Sequence, residues 1–223
     1  MGTRYLLLAL LISVLFGCKE KTKEAVHEPT LVEVEKPKKL PKELFKIVEF
    51  AGVSLSDSID INSQIGFRTI DRNETLNSVD MDKAIELYKT RIKSGKGDVY
   101  PIFEVDGFED VVVTTVSKGY GGKIRGIFLI NRNSLEIKKA EFEHMAESEG
   151  YGASIAGSPF ENQFVGATIH FEKNPFGLNQ NGKILLEGVQ TIDGISGATT
   201  TSRLTIKMVN DELKKYKAYF ASE

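Results

Sequence analysis

Apolar residues recur at helical spacing in two parts of the chain. The first part is Met81–Ser94, and Asp80 stands where a helix-capping side chain is expected. The second and clearer pattern lies near the end of the chain, where apolar and charged positions mostly fall on opposite faces. Its apolar members are Leu204, Met208, Val209, Leu213, Tyr216 and Phe220, and its charged members are Lys207, Asp211, Lys214, Lys215 and Lys217. The pattern predicts two long helices, one on each side of a strand-rich middle.

Short apolar runs in the middle of the chain predict β-strands. Four of them cover 99–105, 111–116, 124–130 and 137–142, and two further strands are predicted over 167–171 and 184–189. Turn-forming residues, Asp106-Gly107 and 131–134, separate neighbours among the first four, so these strands should form an antiparallel meander. We see no internal repeat, and expect a single α+β domain in which helices flank an antiparallel sheet.

The start of the chain has the layout of an export signal. An apolar run from Tyr5 to Phe16, broken only by Ser13, follows Arg4 and is too short for an ordinary membrane-spanning helix. The segment Leu15-Phe16-Gly17-Cys18 resembles the lipobox of bacterial lipoproteins, although Phe16 is bulkier than the residue usual there. The resemblance implies a signal peptide over 1–17 and a diacylglycerol group on Cys18. The alternative is an uncleaved N-terminal anchor.

The segment that follows is a predicted tether. Residues 18–44 are rich in Lys and Glu, contain Pro29, Pro37 and Pro41, and bury too little apolar surface to fold alone. The folded domain is then expected over 45–223. This arrangement predicts a domain outside the cytoplasm, in the bacterial cell envelope, held at a membrane by its lipid anchor.

Composition limits the classes of function. The 223 residues include 29 Lys and Arg against 31 Asp and Glu, so no basic surplus supports nucleic-acid binding. One cysteine provides no internal disulfide and no thiolate cluster, and we predict no metal site. His144 and His170 are far apart in sequence and are expected to be structural. No Ser-His-Asp or Cys-His arrangement stands out, so no catalytic residue is assigned.

The candidate chemistry lies just before the last helix. The run Asp193-Gly194-Ile195-Ser196-Gly197-Ala198-Thr199-Thr200-Thr201-Ser202 combines small residues with hydroxyl groups where a helix should begin. Small residues allow a large group to approach, and free amides at a helix start favour an anion such as phosphate. The alternative from spacing alone is that Ser196, Thr199 or Thr201 caps the helix.

This run resembles the flavinylation motif of the FMN-binding domain family. The family pattern Asp-x-x-Ser/Thr-Gly-Ala-Thr is met by Asp193, Ser196, Gly197, Ala198 and Thr199. The family includes the C subunit of the sodium-translocating NADH:quinone reductase and the G subunit of the Rnf electron-transport complex. The resemblance implies FMN joined through its phosphate to Thr199 by a separate exported transferase, which uses FAD and magnesium. Thr200, which replaces an aliphatic residue common there, adds a second hydroxyl beside the acceptor.

Two glycine-containing segments extend the resemblance. Residues 118–124 are similar to the glycine-rich turn that opens the family's central hairpin, and 147–152 align with its Glu-Thr-Pro-Gly-Leu-Gly loop near the flavin. Glu147 is retained in that loop, and Tyr151, which departs from the pattern, is a candidate cover for the flavin ring. The resemblance is clearest over 99–220, whereas 45–97 has no match.

The resulting hypothesis is a membrane-anchored flavoprotein with covalent FMN. The resemblance implies an electron carrier, either a relay or a subunit of an Rnf or NADH:quinone-reductase type of chain, with an FMN transferase and envelope redox proteins as partners. Two alternatives remain open: a lipoprotein that binds its ligand noncovalently, and a structural envelope lipoprotein.

Overall fold

The helix with the clearest local start signal folds as predicted. The computed structural model describes residues 40–55 and 60–222, and in it a helix spans Met81–Ser94. The Asp80 carboxylate accepts the backbone N–H of Lys83 at 2.7 Å, which satisfies one donor of the first turn. Gly95 follows the last residue and ends the helix. Local signals are therefore sufficient to define both ends of this helix.

The described residues form six α-helices and nine strands, together with short 3₁₀ turns. The helices are α1 (Lys42–Ala51), α2 (Ile61–Gln64), α3 (Met81–Ser94), α4 (Ser158–Glu161), α5 (Thr199–Leu213) and α6 (Lys217–Ala221). The strands are β1 (Gly66–Asp71), β2 (Leu76–Ser78), β3 (Val99–Val105), β4 (Asp110–Lys118), β5 (Lys123–Asn131), β6 (Ile137–His144), β7 (Phe176–Gln180), β8 (Lys183–Leu186) and β9 (Gln190–Asp193).

The main sheet has six antiparallel strands in the order β2-β1-β3-β4-β5-β6. Its last four strands are the predicted meander, and β4 pairs with β5 from Asp110↔Asn131 to Lys118↔Lys123. This sheet and the helices that flank it confirm the predicted α+β class and single domain. The long β4–β5 hairpin carries the glycine-rich turn at its tip, so it fixes the position of that turn.

A second sheet has the order β8-β7-β9, and its β7–β9 pair is parallel. Two sequence predictions are wrong here. Residues 167–171 form no strand, only an isolated bridge between Glu136 and Thr168, although Ala167 and Ile169 are buried in strand-like alternation. The strand predicted over 184–189 ends at Leu186, and β7 and β9 were not predicted. β7 has five residues and β9 has four, so each is too short to show a clear alternating pattern in the sequence.

The main sheet separates two groups of buried side chains. One face packs against α5 through an aromatic cluster with Phe164 at its centre. The other face packs against α1 and α3, around residues such as Ile47 and Phe103. In α1, Leu44 is fully buried, so the fold begins inside the stretch 18–44 assigned to the tether. The predicted signal peptide, Cys18 and the tether before residue 40 lie outside the described residues.

Within the described ranges, none of the helices combines the length and the apolar character that crossing a membrane requires.

Candidate functional site

The predicted phosphate-holding segment connects β9 to the start of α5. Thr199 is the first residue of α5, and Ala198, the capping position, contributes no side-chain hydrogen bond to the helix. The N–H groups of the first turn therefore lack the side-chain cap that usually satisfies one of them. These donors and the positive end of the helix dipole favour a bound anion. The capping alternative is not realised by Ser196, Thr199 or Thr201.

Two contacts give the loop before α5 its shape. The side chain of Ser202, buried within α5, accepts the backbone N–H of Ile195 at 3.0 Å, which ties the loop back onto the helix. Gly197 has φ 74°, and a Cβ there would lie 2.7 Å from a ring carbon of Tyr151. Because glycine tolerates positive φ and has no Cβ, it lets the tyrosine ring lie close to the helix start.

Glu147 joins three segments that are distant in sequence. Its side chain is buried, and one carboxylate oxygen accepts the N–H of Gly121 at 2.8 Å. The other oxygen accepts the hydroxyl of Thr201 at 2.7 Å. Hydrogen bonds to an ionised acceptor are stronger than neutral ones, so this residue fastens the glycine-rich turn and its own loop to α5. A Cβ at Gly121 would clash with the carbonyl oxygen of Ala146, which explains a glycine at this position.

These segments surround an open cavity of about 480 Å³. Its lining is Tyr120, Glu147, Ser148, Tyr151, Gly152, Gly197, Ala198, Thr199, Thr200 and Thr201. Thr199 and Thr200 are both exposed, so either hydroxyl is accessible. Six of the eight residues predicted to bind the cofactor are therefore brought together around one space.

The other two predicted residues, Asp193 and Ser196, lie outside this lining. Asp193 ends β9, where its carboxylate accepts the side-chain amide of Asn179 at 2.7 Å. Its backbone N–H donates to the side chain of Gln163, also at 2.7 Å. Ser196 is exposed in the turn before α5. In this structure Asp193 thus holds the segment before the site in place and does not contact the cavity.

Four residues that line the cavity were not predicted: Tyr120, Ser148, Gly152 and Thr201. Tyr120 is 74 % exposed at the tip of the β4–β5 hairpin. An aromatic residue surrounded by three glycines was a detectable signal in the sequence. The position of Thr201 depends on its bond to Glu147, 54 residues away, and no local pattern reveals such a partner.

The donor set of this cavity fits the phosphate end of FMN. The start of α5 supplies backbone donors, the small residues Gly197 and Ala198 leave space, and Tyr120 and Tyr151 provide aromatic surface for a flat ring. The Glu147 carboxylate, which would repel a phosphate, is already engaged by two donors. Within the part of the chain that the structure describes, no group of three or more His, Cys, Asp or Glu residues is arranged to hold a metal ion.

The sequence of this region matches a known family. Residues 119–214, which include the glycine-rich turn, the 147–152 loop and all of α5, match the model of the FMN-binding domain. This match confirms the resemblance to that family drawn from the motif. No curated protein matches the chain.

Several solved structures share the fold, among them the following two. The chain is similar to the C subunit of the Na(+)-translocating NADH-quinone reductase from Parabacteroides distasonis ATCC 8503, with 23% identity and a TM-score of 0.59. That alignment covers 79% of this chain and 90% of the other. NqrC from Shewanella oneidensis gives 19% identity and a TM-score of 0.59, covering 80% and 95% of the two chains. At these identities the likeness establishes the fold alone.

Proposed function

We propose that this protein carries FMN in a phosphoester bond to Thr199 and transfers electrons through it. The observation that supports the proposal most directly is the position of Thr199. This residue is exposed, lines the cavity and begins α5, where side-chain capping is absent and backbone donors face a prospective phosphate. The match to the FMN-binding domain supports the same cofactor.

The attachment step is balanced in atoms and needs no oxidant. The hydroxyl oxygen of Thr199 forms a bond to the phosphorus of the FMN half of FAD, the bond to the AMP half breaks, and the hydroxyl proton is released. We propose that a periplasmic FMN transferase carries out this step with magnesium. Thr200 is also exposed and lines the cavity, so the family register, rather than exposure, favours Thr199.

The protein's own residues position the cofactor. The first turn of α5 would bind the phosphate, and Tyr120 and Tyr151 would contact the ring and limit its access to water. Glu147 would keep the glycine-rich turn and α5 at a fixed separation through its two hydrogen bonds. When bound, FMN supplies a centre that accepts and gives electrons one or two at a time.

We further propose that the protein is exported and held at a membrane by a lipid on Cys18. The sequence layout of residues 1–18 supports this part of the proposal. The partners would then be redox proteins of the envelope, with this chain acting as a relay or as a subunit of an Rnf or NADH:quinone-reductase type of chain. Covalent attachment would prevent loss of the cofactor by dilution outside the cytoplasm.

The test of attachment is intact mass and visible absorption of the full chain made together with a periplasmic FMN transferase. We expect a yellow protein whose mass is increased by FMN minus water, and loss of both features in Thr199→Ala. Thr200→Ala is the matched control and should retain both, because it removes the adjacent hydroxyl only. Colour without added mass would favour noncovalent binding, and a colourless, unmodified wild type would favour a structural lipoprotein.

The anchor is tested separately by the mass of the N-terminal peptide and by membrane fractionation. We expect cleavage before Cys18, added diacylglycerol, and release of Cys18→Ser from the membrane fraction. An unmodified Cys18 on a membrane-bound chain would instead support an uncleaved N-terminal anchor.

A further inference from the structure

A second cavity, of about 370 Å³, lies on the face of the β4–β5 hairpin opposite α5. It is enclosed by side chains of α1, of α3 and of the adjacent strands β4, β5 and β6. Cross-strand pairing places Thr114, Ile127 and Glu141 in one row across its floor. It shares no lining residue with the cavity at the start of α5.

Two residues that line this cavity each carry a buried polar atom without a hydrogen-bond partner in the described part of the chain. One atom is the hydroxyl of Thr114, a residue only 3 % exposed, and the other is Nε of Arg125. The hydroxyl of Thr115 also lacks a partner, but its side chain points to the opposite face of the strand, toward Phe128. Buried polar groups in folded proteins are almost always paired, because an unmet donor or acceptor is costly. Two such atoms around one space therefore indicate where the polar atoms of a ligand would lie.

Tyr88 adds a third polar group to the same wall. Burial, followed by the negative charge of Glu143, raises the pKa of Tyr88 to about 12, while Arg125 opposes that shift. The phenol is therefore protonated at neutral pH and is able to donate a hydrogen bond. Ile92 and Ile127 supply apolar surface nearby. The cavity thus combines a few polar groups with an apolar wall, as small-molecule sites usually do.

The charges around the cavity balance. Its three cations are Lys46, Arg125 and Lys139, and its three carboxylates belong to Glu49, Glu141 and Glu143. Two of the pairs are formed directly, Arg125 with Glu143 at 3.1 Å and Lys139 with Glu141 at 2.9 Å. A ligand with a net charge would find no unpaired counter-ion in the cavity, so its burial there would be unfavourable.

We propose that this cavity binds a small neutral molecule in which an apolar ring or chain carries a carbonyl oxygen. Arg125 Nε and the Tyr88 hydroxyl would donate to that oxygen, and the Thr114 hydroxyl is able to donate or accept. The ligand's apolar part would pack against Ile92 and Ile127. The site is independent of the proposed flavin chemistry, because neither cavity contributes residues to the other.

Benzamide is a suitable probe, because it is neutral and joins an aromatic ring to a carbonyl group. It would be titrated into the full chain while the methyl signals of Ile92 and Ile127 are followed by NMR. We expect saturable shifts centred on these two residues, and weaker binding of the anion benzoate and of the cation benzylamine. Absence of localised shifts, or tighter binding of benzoate, would overturn the proposal.

Thr114→Val tests the polar contact, because it removes the hydroxyl and keeps the side-chain shape. We expect its benzamide dissociation constant to rise about threefold to tenfold, the value of one hydrogen bond. Thr168→Val, an exposed site on another part of the chain, is the matched control and should bind like the wild type. Tyr88→Phe provides a second variant if Thr114→Val does not fold. If the folded variants at Thr114 and at Tyr88 both bind benzamide with wild-type affinity, the proposed site is contradicted.

Discussion

The two faces of the six-stranded sheet are packed to different degrees. Toward α5, Phe128, Phe142, Phe160, Phe164 and Phe176 are at most 3 % exposed, and their neighbouring ring centroids lie 4.8 to 6.3 Å apart. Toward α1 and α3, strands β4, β5 and β6 border a cavity of about 370 Å³. A filled core holds α5 in one position, and with α5 the residues of the candidate flavin site. The opposite face retains space in which a separate ligand fits.

Adjacent residues of β5 allow the two faces to be compared directly. Phe128→Ala should lower the free energy of unfolding by about 3–5 kcal/mol, because it leaves a hole in the closed aromatic cluster. Ile127→Ala should cost only about 1 kcal/mol, since Ile127 already borders a cavity and loses fewer contacts. Urea unfolding of both variants measures the difference. Equal losses would mean that the cavity face is packed as tightly as the other.

On the face of the sheet that packs against α5, the two hydrogen bonds of Glu147 should be the polar contacts whose loss lowers the unfolding free energy most. Glu147→Ala removes two hydrogen bonds to a carboxylate and should cost about 3 kcal/mol in unfolding free energy. Glu149→Ala, in the same loop but exposed, is the matched control and should change stability by less than about 0.5 kcal/mol. Flavin loading should fall only in the first variant. Equal effects in both would show that these hydrogen bonds do not position the site.

Alkaline titration probes the cavity face through Tyr88. Its pKa is about 12 in the folded protein, against 10.0 for the free side chain, mainly because of burial. The unfolded chain therefore loses this proton first, and the stability present below pH 10 declines as the pH rises toward 12. Tyr88→Phe should remove about 2 kcal/mol of that decline, measured by urea unfolding between about pH 9 and about pH 12. If the unfolding free energy of Tyr88→Phe depends on pH as that of the wild type does, the raised pKa of Tyr88 is contradicted.

The smallest expected change concerns Gly197. Gly197→Ala and Gly182→Ala both place a Cβ at positive φ and should each cost about 1 kcal/mol in unfolding free energy. The added methyl group meets Tyr151 only at position 197, whereas position 182 has open space. Tyr151 is exposed and able to move, so the first variant should lower flavin loading with little further loss of stability. Equal loading in the two variants would exclude a role for the close approach of Tyr151.

The sequence predicted those parts of the fold whose signals are local. Asp80 capped α3 as its position indicated, and the short turns produced the β3–β6 meander. The alternation of Ala167 and Ile169, however, predicted a strand where only one bridge forms. Burial of alternate residues does not require a continuous ladder of hydrogen bonds, so the pattern alone was insufficient.

The candidate flavin site, like the fold, was predicted only in part from the sequence. The run from Asp193 to Thr199 indicated this segment and its resemblance to the FMN-binding domain family from the sequence alone, because the motif is contiguous. Only the tertiary structure brought Gly121, Glu147 and Thr201 together, and only it separated Asp193 from the cavity. It also revealed Thr114 and Arg125 beside a second cavity on the opposite face. Contiguous motifs and caps are properties of neighbouring residues, whereas cavities and buried hydrogen bonds depend on which distant segments the fold packs together.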